Sequence, residues 1–116
     1  MFIFGLKLSK MKLENTFGDT IKKLREEKQL TLREVAVKLG IDTSMLGKIE
    51  KNSRRPTKTL IGKISTIFNV SSKELTIAFL SDAVVYQVLE EEVAQEVLKV
   101  AEKKVKYLKT KKLLEK

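Results

Sequence analysis

The sequence predicts an all-α fold, a domain of five short helices followed by one long helix, and three observations carry that reading. Apolar residues recur at intervals of three and four along most of the chain. Ser, Thr and Asp stand where helix starts need caps, and neither Pro nor Gly occurs after Gly62. A length of 116 residues suits one compact domain with one appended element. The expected organisation is an N-terminal extension at 1–15, a domain at 16–80 and a C-terminal helix at 81–116.

The opening MFIFGLKLSKMKL has an apolar start but lacks the basic region, long apolar stretch and small-residue cleavage site of a secretory signal. It reads as a short strand or an unordered extension. From Thr16, Phe17, Ile21 and Leu24 form one stripe with Lys22, Lys23, Arg25, Glu26 and Glu27 outside it, giving the first helix. Thr31 and Glu34 have capping-box spacing, so a second helix begins near Leu32, carries Val35, Ala36 and Leu39 inward and ends at Gly40. Asp42 is a candidate cap for a third helix to Glu50, with Leu46 and Ile49 inward and Met45 facing either the core or the opposite side. After a basic stretch containing the single Pro56, Leu60, Ile64 and Phe68 mark a fourth helix, and Ser71 caps a short fifth that reaches Leu80. Ser81 or Asp82 then offers a cap for a sixth helix running to Leu108 or beyond, about 40 Å long.

Composition narrows the chemistry. With no Cys and no His, thiolate and imidazole ligands are missing, so no metal site, no cofactor and no catalytic residue is expected. Glu90, Glu91 and Glu92 are adjacent on a helix and point in different directions, which fits a solvated face rather than a metal site. No Gly-rich phosphate loop occurs, no apolar run is long enough for a membrane span, and no small-molecule substrate is evident. The formal charge of +9 gives a positive field that attracts polyanions, nucleic acid foremost, although a Lys-rich surface also serves solubility alone.

The segment LTLREVAVKLGIDTSMLGKIEKNSRRP combines these features as two helices joined by a tight turn. Small Ala36 permits close crossing, Gly40 makes the turn, and Leu46 and Ile49 pin the second helix to the first. Ala36, Gly40, Ile49 and Glu50 match the spacing typical of the Xre family, helix-turn-helix regulators typified by phage Cro and repressor proteins, and the resemblance spans roughly Phe17 to Leu80. It implies a five-helix repressor-like DNA-binding domain. It also implies that Thr43, Ser44, Gly47 and Lys48 read base edges in the major groove, and that Lys51, Asn52, Arg54, Arg55 and Lys58 contact phosphates. Where many members open the second helix with a phosphate-binding Gln, this chain has Leu32. Gly47 costs about 1 kcal/mol in a helix interior, which fits close approach to DNA or a tolerated defect.

In the last helix Tyr86, Leu89, Val93, Val97, Val100 and Leu108 form a stripe that suits dimerisation or packing back across the first and fifth helices. Acidic residues lie early and lysines late, a polarity that suits an antiparallel pair better than the alternatives, a parallel pair or a Lys-rich tail that touches DNA. The expected function is a cytoplasmic, homodimeric, sequence-specific regulator, a repressor at a pseudo-palindromic operator. The alternative is an antitoxin or adaptor whose C-terminal helix binds a partner protein.

Overall fold

A computed structural model describes residues 15–115; the readings made for the opening segment lie outside them, apart from Asn15. Among the described residues the chain is all-helical: α1 (Phe17–Glu27), α2 (Leu32–Leu39), α3 (Thr43–Glu50), α4 (Lys58–Phe68), α5 (Ser72–Val88) and α6 (Ala94–Leu114). The described residues form two compact units, one ending at Asp82 and the other beginning at Ala83.

Local chemistry sets the helix starts. Thr31 Oγ1 accepts from Glu34 N at 3.1 Å while Thr31 N donates to Glu34 Oε1 at 2.8 Å, a complete capping box that satisfies two amides at the head of α2. Gly40 ends that helix at φ 72°, in the left-handed region where a side chain would be strained. Thr57 caps α4 by accepting from Leu60 N, and Ser71 caps α5 by accepting from Glu74 N. Asn69 supplies the left-handed end of α4.

In the first unit, α3 packs against both α1 and α2, and α2 also packs against α4. Ile21, Val35, Leu39, Leu46, Ile49, Ile64, Phe68 and Leu75 are fully buried at its centre. At roughly 1.5–3 kcal/mol for each such side chain, this burial supplies the main force holding the helix-turn-helix together. Phe17 and Phe79 meet edge to face, with centroids 5.3 Å apart.

The expected C-terminal architecture needs three corrections. The fifth helix does not end at Leu80 but runs unbroken to Val88. Neither Ser81 nor Asp82 caps a helix start: Ser81 Oγ donates to Ala78 O one turn back, and Asp82 accepts the amide of Phe17. The chain breaks instead at 89–93, so Tyr86 lies on α5, Leu89 and Val93 in the turn, and Val97, Val100 and Leu108 on α6. The stripe is therefore not one continuous face of a helix. The break has an electrostatic logic: Glu90, Glu91 and Glu92 repel one another and would oppose the negative end of α5, whereas just ahead of α6 they meet its positive end. In α6 no residue is buried, although Val97, Val100, Val105, Tyr107, Leu108, Leu113 and Leu114 are apolar or aromatic.

Candidate nucleic-acid interface

The helix α3 has an inner and an outer side. Leu46 and Ile49 are buried, Met45 is half-buried against the edge of the core, and Thr43, Ser44 and Lys48 are exposed. Met45 thus takes the core side of the two orientations its sequence position allowed. Thr43 and Gly47 are one turn apart, with Ser44 and Lys48 beside them, so the four fall on a common outward sector. A Cβ built on Gly47 meets nothing within 4 Å, so no packing inside the protein requires a glycine there.

The start of α3 differs from those of α1, α2 and α4. Asp42 occupies the cap position in an extended conformation, yet its side chain makes no capping bond, contrary to the role its position suggested. The amides at this end are therefore not engaged by that carboxylate.

After α3 the chain turns sharply. Asn52 adopts φ 65°, and Ser53 ties back to Lys48 O through its amide at 2.9 Å and its hydroxyl at 3.2 Å. Lys51, Asn52, Arg54, Arg55 and Lys58 are all exposed, and among the described residues none of these cations is held in an ion pair. The Arg55 guanidinium lies 5.3 Å from the Phe79 ring centroid, which orients it by cation–π attraction. The Asn52 amide is occupied within the protein: Oδ1 accepts from Gly18 N at 2.9 Å and Nδ2 donates to Thr16 Oγ1 at 2.8 Å.

Three residues that the sequence did not single out shape this surface. Arg25 of α1 grips Glu50 at the end of α3 in a two-pronged pair, Nε to Oε2 at 2.8 Å and Nη2 to Oε1 at 3.0 Å, and its third nitrogen donates to Leu30 O. The hydrogen bonding to Glu50, with the Glu50 charge behind it, holds the Arg25 guanidinium above its ordinary pKa. Gly18 lies against the same end of α3, where a Cβ would come within 2.7 Å of Ile49 O. Lys22 shares an open cleft of about 450 Å³ with Gly47, Lys51 and Asn52, bringing a further cation beside the outer side of α3. Leu32 lines the same cleft and packs half-buried against the core. Arg25 stood in the sequence only as a residue outside the apolar stripe, because its partner Glu50 is 25 residues away.

The helix-turn-helix region is similar to known proteins. A family model described as helix-turn-helix matches residues 21–75. The HTH-type transcriptional regulator SutR of Escherichia coli is 39% identical over 58 residues, covering 50% of this chain and 33% of that protein. YazB of Bacillus subtilis, an uncharacterized HTH-type transcriptional regulator, is 36% identical over 59 residues, covering 51% of this chain and 86% of that protein. The chain thus spans about a third of the first relative and most of the second. Among solved structures, the restriction-modification controller protein C.AhdI of Aeromonas hydrophila is 30% identical with a TM-score of 0.48, covering 51% of this chain and 89% of that one. The N-terminal DNA-binding domain of SinR from Bacillus subtilis is 36% identical, also with a TM-score of 0.48, covering 52% of this chain and 88% of that one. With α2 and α3 forming the motif and the match to YazB spanning nearly all of that protein, the chain belongs to the Xre-type helix-turn-helix family of DNA-binding transcriptional regulators.

Proposed function

We propose that the chain is a repressor that binds a pseudo-palindromic operator as a homodimer, acting in the cytoplasm as a binding protein and not as an enzyme. The observation that carries the reading is the outer side of α3, a sector of exposed Thr43, Ser44 and Lys48 with half-buried Gly47, flanked by free cations. Thr43 and Ser44 hydroxyls donate to or accept from several base edges and discriminate modestly. Lys48 donates to the acceptor edge of guanine and supplies most of the discrimination. Lys51, Arg54, Arg55 and Lys58 contact phosphates, giving affinity that salt removes and setting the register of the reading helix.

Lys48→Ala is expected to cost about 1–3 kcal/mol at one base position and relax preference there, whereas Arg54→Ala should weaken all duplexes alike and lower the salt slope by about one. Fluorescence titration against operator and scrambled duplexes separates the two. Equal affinity of the unaltered chain for both duplexes at physiological salt would end the specific-regulator reading.

For the dimer, the support is α6: 21 residues, none buried, with apolar side chains left in water. A lone helix gains little stability without a packed face, so a second copy is the proposed cover. No helix among the described residues is long and apolar enough to cross a membrane. Removing residues 89–116 is expected to give a monomer by sedimentation and to lower operator affinity roughly a hundredfold, because the two half-sites are no longer linked. A full-length chain that sediments as a monomer at micromolar concentration would overturn the homodimer.

A further inference from the structure

The N-terminus of α1 is closed from inside the protein. The first amides of a helix have no intrahelical partner and ordinarily turn to water or an anion. Here four successive amides are taken by side chains: Thr16 N donates to Asp19 Oδ2 at 3.1 Å, Phe17 N to Asp82 Oδ2 at 2.6 Å, Gly18 N to Asn52 Oδ1 at 2.9 Å and Asp19 N to Thr16 Oγ1 at 3.1 Å. Asn52 comes from the turn after α3, 34 residues along the chain from Gly18.

Its amide orientation is dictated by chemistry. Gly18 N can only donate, so the oxygen must face it, and the NH2 group then meets Thr16 Oγ1, which has two lone pairs for Asn52 and Asp19. The contact is tight as well as bonded: a Cβ on Gly18 would press on the carbonyls that close α3, within 2.7 Å of Ile49 O. Asn52 also suits its backbone, because Asn tolerates the left-handed conformation at φ 65° better than most residues with a side chain.

We propose that Asn52 is a positioning residue that fastens the end of the DNA-reading helix to the first turn of α1, and is not a phosphate contact. The proposal rests on the reading of α3 as the DNA-reading helix. With this fastening in place α3 is held before DNA arrives, so less order has to be imposed on binding. Its contribution to affinity involves no counterion and is the same at every salt concentration.

Asn52→Gly tests this in the full chain, because glycine keeps the left-handed backbone and removes only the amide. Operator affinity is measured between about 50 and 200 mM salt, and exchange of the Gly18 amide is followed by NMR without DNA. The expected result is affinity lower by about five- to tenfold at every salt, the loss of two hydrogen bonds at the modest net worth of each, with an unchanged salt slope and faster Gly18 exchange. Asn52→Asp, which restores an acceptor for that amide, should restore its protection. A salt slope reduced by about one with Gly18 exchange unaltered would identify a phosphate contact and overturn the proposal. So would unchanged affinity in Asn52→Gly, or rapid Gly18 exchange in the unaltered chain. Failure of the unaltered chain to bind any duplex would instead overturn the DNA reading beneath it, a result distinct from the others.

Discussion

Gly18→Ala is expected to destabilise the domain by about 3 kcal/mol, even though alanine is the better helix former. Intrinsic propensity favours alanine by about 1 kcal/mol within a helix. Against that, the new methyl would lie within 2.7 Å of Ile49 O and of the Glu50 carbonyl carbon, both backbone atoms that cannot swing aside. Either α1 or α3 has to move, and both carry buried core residues. Calorimetry should show a fall in Tm of ~15 °C for a domain of this size. Gly47 and Gly62 provide the contrast, since a Cβ at either meets nothing within 4 Å and alanine there should stabilise by about 0.5–1 kcal/mol. Stabilisation by Gly18→Ala equal to that at Gly62 would show that α1 does not press on α3. Gly47→Ala adds a functional readout: a more stable protein with weaker operator binding marks backbone approach to DNA, and unchanged binding marks a tolerated defect.

The second large effect is expected at Glu50. Its carboxylate and the Arg25 guanidinium retain only 6% and 12% of their side-chain exposure, far from the situation of a surface ion pair. Glu50→Ala leaves the Arg25 charge shielded from water with one remaining bond, to Leu30 O, and is expected to cost about 3 kcal/mol in urea unfolding. Replacing both partners, Arg25→Met with Glu50→Leu, should be nearly neutral, because the cost of desolvating two charges disappears together with their attraction. A single-variant loss below about 1 kcal/mol would place the pair in the class of exposed salt bridges. The pair also joins α1 to the last residue of α3, so Glu50→Ala should loosen the reading helix and weaken binding to all duplexes.

How much of this was legible beforehand depended on the distance in sequence between interacting groups. The capping box of Thr31 and Glu34 spans three residues, Gly40 acts on its own backbone, and the cap at Ser71 reaches three residues ahead; each could be read directly. The buried stripe of α3 follows from helical spacing alone, and so does the outward sector of Thr43, Ser44, Gly47 and Lys48. The break at 89–93 escaped because it contains neither Pro nor Gly, and its one local signal is three adjacent carboxylates between two helix ends. Asp82 has a composition suited to capping a following helix, but the bond it makes is to Phe17 N, 65 residues away.

Taken by itself, the sequence determined the helix-turn-helix, its inner and outer sides and its basic flank, because caps, helical periodicity and charge act over a few residues. Only the tertiary structure decided what holds the reading helix in place. Arg25 reaches Glu50, Gly18 admits the end of α3 and Asn52 fastens it to α1 across separations of 25 to 34 residues, distances at which a residue's type says nothing about which partner the fold will bring to it.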